Sequence, residues 1–180
     1  EKLPLTLILR SGLVISKDNS DKNYDRFRNR LIVPIHDMQG RVVAFGGRSL
    51  DGQEPKYLNS PESEVFEKGK MLFGFEKASS NIRKSDKAII VEGYFDVISL
   101  HSKGITNSVA SLGTALNKYQ ISQLCRCTDN KNIILNFDSD NAGIRATKRV
   151  INEVENLSIH DQINLKILQL TDFKDPDEYL

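Results

Sequence analysis

The chain has little cysteine, little net charge and no long apolar run, and each shortage excludes a class of protein. Its two cysteines, Cys125 and Cys127, stand two residues apart. They are too few for a disulfide framework and too close for an unstrained bridge, so a reducing compartment, the cytoplasm, is the expectation. No uninterrupted apolar stretch approaches the roughly eighteen residues that a membrane span needs, so a transmembrane protein is excluded and no membrane partner is expected. With 25 basic and 24 acidic side chains the formal net charge is +1. That excludes a uniformly basic nucleic-acid binder but leaves local separation of charge open. There is no internal repeat, no low-complexity tract and no charged-then-apolar leader. The chain starts at Glu1 without an initiator methionine, as an excised piece of something longer would. His36, His101 and His160 show no metal spacing, and Cys125 and Cys127 lack a partner pair, so the cysteines read as helix packing residues rather than a zinc site.

What is present is the composition of an ordinary folded domain. The chain has 180 residues, 39% hydrophobic and 27% charged, enough for one compact domain, or one with a small appendage, to build a core without staples. From Ala88 onward, short branched runs at Ala88–Val91, Ser108–Ala110, Ile133–Phe137 and Leu165–Leu170 alternate with helix-like segments near 95–103, 116–127 and 142–156. Strands alternating with helices predict a parallel sheet joined by crossovers, an α/β unit. Before Ala88, Leu31–Ile35 and Arg41–Phe45 predict a hairpin turned at 36–40. Gly46-Gly47 and the stretch from Gly52 to Pro61 read as loops, and residues 17–25 as a polar connector after an N-terminal helix.

The acids are placed in a pattern. Glu92 directly follows a strand, with Gly93 to allow the turn and Asp96 four residues on; Asp138 and Asp140 follow another; Asp175 and Asp177 flank Pro176 after a third. In an open parallel sheet all strand carboxyl ends share one edge, so the three acidic loops are expected to converge in one crevice. Massed carboxylates raise one another's pKa, and a divalent cation relieves them. Oxygen donors without histidine or thiolate favour Mg²⁺ or Mn²⁺, which suits phosphoryl or nucleotidyl transfer. Any single one of these acids is equally well read as a helix cap or a solvated loop residue. The basic side chains from Arg26 to Lys70 are interleaved with acids, and only Arg26, Arg28 and Arg30, at alternate positions, would line one side of an extended segment as a phosphate track. Ser111-Leu112-Gly113-Thr114 reads as an anion-binding turn or, at least as well, an ordinary strand-to-helix turn.

Glu92-Gly93, Asp138-Ser139-Asp140 and Asp175-Pro176-Asp177 after successive strands resemble the Toprim fold of primases and topoisomerases. Tyr24-Asp25-Arg26-Phe27-Arg28-Asn29-Arg30, Phe45-Gly46-Gly47-Arg48, Pro55-Lys56-Tyr57-Leu58-Asn59-Ser60-Pro61-Glu62 and Glu92-Gly93-Tyr94-Phe95-Asp96 are similar to the RNA-polymerase core of bacterial DnaG-type primases. The resemblance implies a Toprim-like parallel sheet flanked by helices at 87–180, preceded by a smaller mixed α+β basic segment, an incomplete part of the primase core, at 1–86. It implies DNA-templated synthesis of short RNA primers, by metal-assisted nucleotidyl transfer, on a single-stranded DNA template from ribonucleoside triphosphates. A replicative helicase partner would bind through a domain absent here. Carried over by position, Glu92 is the general base or metal-positioning acid, and Asp138 and Asp140 are catalytic metal ligands. Asp175 and Asp177, with Asp96 supporting, complete a Mg²⁺ or Mn²⁺ site. Arg26, Arg28, Arg30, Arg48, Lys56, Asn59, Lys68 and Lys70 handle nucleic acid or nucleotide. A Toprim nuclease or topoisomerase subunit, or a non-catalytic nucleic-acid-binding Toprim module, is the alternative.

Overall fold

The structure, a computed structural model, describes residues 3–16, 22–157, 162–170, 173 and 175–180. His160 and residues 17–21 of the polar connector lie outside the described residues. The chain divides into two compact units, Glu1–Glu67 and Lys68–Leu180.

The first unit opens with helix α1 (Leu5–Arg10) and a two-stranded antiparallel ribbon of β1 (Val14–Ser16) and β2 (Asn23–Asp25). A three-stranded antiparallel sheet follows, β3 (Arg30–His36), β4 (Val42–Ser49) and β5 (Tyr57–Asn59), in the order β3-β4-β5. The expected hairpin is present, and its turn is tied by one carboxylate. Asp37 Oδ1 accepts from the backbone N–H groups of Gln39 and Arg41, and Asp37 Oδ2 from Arg41 Nε at 2.7 Å. Pro34 is tolerated because β3 is an edge strand, where a missing N–H costs no ladder bond. Gly46-Gly47 is not a loop but the middle of β4. Phe27 and Arg30 lie against Gly47, where an added Cβ would stand 2.8 Å from Phe27 Cδ1. The glycine therefore marks a close approach rather than a break.

The second unit is a four-stranded, wholly parallel sheet in the order β7-β6-β8-β9, from β6 (Ala88–Val91), β7 (Ser108–Ala110), β8 (Asn132–Leu135) and β9 (Asn164–Ile167). Its helices are α2 (Phe75–Ser85), α3 (Tyr94–Ser102), α4 (Lys118–Cys125), α5 (Asn141–Glu155) and the short α6 (Pro176–Tyr179). Ile90, Val109, Ile133 and Leu135 from the strands meet Ile121 and Leu124 of α4 and Val150 and Val154 of α5 in one core. Phe75, Ala78 and Ile82 bring α2 into the same core, so α2, placed by the sequence on the N-terminal side of residue 87, packs with the sheet. Cys125 and Cys127 are free and buried, as packing residues are, and burial pushes the Cys125 thiol up from its ordinary pKa. Among the described residues no helix is long and apolar enough to cross a membrane.

Two polar hubs fasten this unit. At the amino edge Asp86, in the left-handed region at φ 49°, accepts from the backbone N–H groups of Asp129 and Asn130 and from the side-chain amides of Asn130 and Asn132. Four donors facing one carboxylate hold its pKa below the ordinary value. Elsewhere Gln120, fully buried, donates to the Met71 carbonyl at 2.7 Å and accepts from Asn117 N–H at 3.1 Å, while Asn117 Nδ2 donates to the Gly69 carbonyl at 2.8 Å. The pair fastens the segment carrying Lys68 and Lys70 to the start of α4. Gln120→Ala leaves the part-buried Met71 carbonyl without this donor, at a cost of about 1–3 kcal/mol. Denaturant unfolding should show that loss, and an unchanged midpoint would contradict the assignment.

Candidate active site

The strand order explains why the acids meet. From β6 the chain runs to β7 on one side and then to β8 on the other, so β6 and β8 are neighbours with connections leaving in opposite directions. A crevice opens at the carboxyl ends of strands at such a switch point. Glu92 follows β6 directly, and Asp138 stands three residues after β8 ends. The Asp138 backbone N–H donates to Glu92 Oε1 at 3.2 Å. Gly143, in the first turn of α5, is required here: a Cβ on it would lie 2.0 Å from the Asp138 carbonyl oxygen and 2.8 Å from Glu92 Oε1.

Asp96, Asp140 and Asp175 are each held by a local backbone donor. Asp96, 7% exposed, accepts from Gly93 N–H at 2.9 Å and so closes the first turn of α3 on itself. Asp140 is the N-cap of α5, its Oδ1 accepting from Ala142 and Gly143 N–H at 2.8 and 2.9 Å. Asp175 caps α6 by accepting from Glu178 N–H at 2.9 Å. Asp177, exposed, receives the Ser99 hydroxyl on Oδ1. The helix-cap reading is thus realised for Asp140 and Asp175, but capping and convergence coexist, because the caps sit where the strands end.

The acids act on one another. Burial, and then the charge of Asp138, push the Glu92 carboxyl up to about 7, with Asp140 and Asp96 adding to the shift. Burial, followed among the charges by Asp175 and Asp138, pushes Asp96 up to about 6, against the backbone hydrogen bonds from Gly93 and Asp177. Glu92, Asp96, Asp138, Asp140 and Asp175 therefore form one electrostatic group. They do not form a closed cage: among the described residues no three acidic, histidine or cysteine side chains are gathered closely enough to hold a metal ion.

Of the basic residues singled out in the sequence, Arg26, Arg28, Arg30, Arg48 and Lys56 fall in the first unit. The residues from Arg26 to Asn29 are not extended, and Asn29 has φ 50°, so the three arginines do not project as a row. Arg26 donates twice to the Asn59 carbonyl, at 3.1 and 3.0 Å, and Arg30 to the Pro55 carbonyl at 2.7 Å. Both brace the loop around β5. Arg28, exposed, lies 4.8 Å over the Tyr24 ring, and Lys56 stands 5.6 Å from the Tyr57 ring centre. Arg48 pairs across the sheet with Leu31 and Tyr57. Lys68 and Lys70 belong to the second unit. Sequence reasoning missed Ser99, Gly143, Asn117 and Gln120. Only Gly143, three residues past the Asp138–Asp140 motif, carried a signal, as a small residue opening a helix.

A carboxyl whose folded pKa is raised contributes stability that is complete below its unfolded pKa and is lost as pH rises through the folded value. For Glu92 the window runs from 4.5 to about 7, and for Asp96 from 3.8 to about 6. In metal-free buffer Glu92→Gln should therefore melt above the unmodified chain at pH 8, and the two melting temperatures should converge near pH 4. An equal gap at both pH values would show that Glu92 is not held this way.

Comparison with known proteins also divides the chain in two, at a later boundary than the structural units. A family model described as DNA primase catalytic core, N-terminal domain, matches residues 1–79, and a Toprim-like model matches residues 89–180. The DNA primase of Synechococcus elongatus is 55% identical over 180 residues, which are 100% of this chain and 26% of that protein. A DNA primase domain from Pseudomonas aeruginosa superposes with a TM-score of 0.88 at 44% identity, over 96% of this chain and 53% of that one. A DnaG primase catalytic domain bound to single-stranded DNA gives 0.83 at 38% identity, over 96% and 53%. The chain spans about a quarter of the length of the curated relatives it matches. With both family models in order along the chain and the acids placed at the switch point of a parallel sheet, the chain belongs to the DnaG-type DNA primases, as a segment of their Toprim-containing catalytic core.

Proposed function

We propose that this chain supplies the acidic half of a primase active site, in a protein that makes short RNA primers on single-stranded DNA from ribonucleoside triphosphates. The observation that carries the reading is the electrostatic group around Glu92, built on three loops at the sheet's carboxyl edge, in a chain matched along its length by primase catalytic cores. The matches do not favour the nuclease, topoisomerase or binding-module alternatives.

The acids fit a hard divalent cation in donor type and in charge. They offer oxygen alone, and burial together with the charges of neighbouring acids raises Glu92 and Asp96. An open arrangement suits Mg²⁺, which commonly takes one or two carboxylates and completes its shell with water and phosphate. When bound, Mg²⁺ or Mn²⁺ would neutralise phosphate charge and orient the attacking and leaving oxygens. One or two of Glu92, Asp138 and Asp140 would hold it directly, with Asp175 and Asp177 completing the acid set and Asp96 anchoring the loops. Glu92, half-buried and with its pKa near neutrality, is also the group best suited to accept a proton from a ribose 3′-hydroxyl.

Arg26 and Arg30 donate to backbone carbonyls, and we assign phosphate contact to Arg28, Arg48, Lys56, Lys68 and Lys70. Arg28 and Lys56 sit beside the aromatic rings of Tyr24 and Tyr57, and rings next to cations suit a single strand, whose bases stack while its phosphates pair. Asn59 contributes a neutral polar group on β5. The functional division we assign places the basic segment at 1–86 and the Toprim domain at 87–180.

The test is ribonucleotide incorporation on a single-stranded template by the longer protein that contains this core. Asp138→Ala should lower the rate roughly a hundred-fold or more, since metal-borne charge stabilisation is worth several kcal/mol. Activity close to the unmodified level in a folded Asp138→Ala protein would reject the assignment.

A further inference from the structure

The first two acidic loops leave directly from the strands β6 and β8, whereas Asp175–Asp177 lies at the start of α6, a helix of only four residues. Such an element has little stability of its own, because helix nucleation is costly and isolated short helices are marginal. Its place depends on what it is fastened to.

Two hydrogen bonds fasten it to α3. The Asp177 backbone N–H donates to the Asp96 carboxylate, and the Ser99 hydroxyl donates to Asp177 Oδ1. Ser99 stands three residues after Asp96, so both anchors lie on the same face of α3. Asp96 in turn accepts from Gly93 N–H at 2.9 Å, which makes the fastening continuous with the turn that carries Glu92. Asp175, two residues before Asp177, is near enough for its charge to act on Asp96. The arrangement opposes the electrostatics. An exposed Asp177 beside other acids is drawn toward water, and a directed hydroxyl donor resists that.

Resting on the reading of these acids as a divalent-cation site, we infer that Ser99 is a positioning residue that holds α6 on α3 through Asp177 and so keeps Asp175 beside Asp96 and Asp138. Ser99 touches neither cation nor substrate; it acts through the acid it orients. Outer-shell partners of this kind commonly contribute ten-fold or more to metal affinity.

The experiment is calorimetric titration of Mn²⁺ into the 180-residue chain, unmodified and as Ser99→Ala and Ser99→Thr, with a thermal melt of each in metal-free buffer. Ser99→Ala should bind Mn²⁺ roughly ten-fold more weakly with little change in melting temperature. Ser99→Thr, which keeps the hydroxyl, should recover the affinity. Unchanged affinity in Ser99→Ala overturns the inference while leaving the cation site standing. So does a loss that Ser99→Thr does not restore, or one matched by general unfolding, since either assigns Ser99 to plain stability. Absence of saturable Mn²⁺ binding in the unmodified chain overturns the cation-site reading itself, and this inference with it.

Discussion

Glu92 and Asp138 stand at the ends of adjacent parallel strands, where two negative charges repel, yet the Asp138 backbone N–H donates to the Glu92 carboxylate at 3.2 Å. That hydrogen bond ties the two like-charged loops to each other. It depends on Gly143, because any side chain there would displace both the Asp138 carbonyl and the Glu92 carboxylate. It also depends on the strand order, which makes β6 and β8 neighbours. Asp96, Asp140 and Asp175 follow the same rule, each accepting a backbone N–H at the start of the helix it precedes or begins. The site is a set of helix starts arranged around one edge, with backbone dipoles offsetting part of the repulsion.

The residual repulsion is what gives the edge its chemistry. A carboxyl raised to about 7 in Glu92 reflects its burial first and the charge of Asp138 next. Such a site gains most from an added cation and from a substrate that brings one.

Much of the second unit was legible because its pattern is local. Ala88–Val91 and Ser108–Ala110 are strands as read, and α3, α4 and α5 begin within two residues of the helix-like segments. The acids were legible for a related reason: polar residues just after a branched run mark a strand end, and parallel strands share an edge. What escaped was set by partners distant in sequence. Gly46-Gly47 reads as a loop until Phe27 and Arg30 are seen to cover it. Arg26 and Arg30 read as a phosphate track until the carbonyls of Asn59 and Pro55, 33 and 25 residues away, are seen to take their donors. Gln120 and Ser99 look like ordinary helix residues, and only the fold brings Met71 to one and Asp177 to the other.

The claim on which the account rests is that the acidic edge is a divalent-cation site, and Mn²⁺ binding by the 180-residue chain tests it most directly. Calorimetric titration of the folded, unmodified chain should show saturable binding that is lost when Asp138→Ala and Asp140→Ala are combined. Failure of the folded chain to bind Mn²⁺, or binding that survives both substitutions, would contradict it.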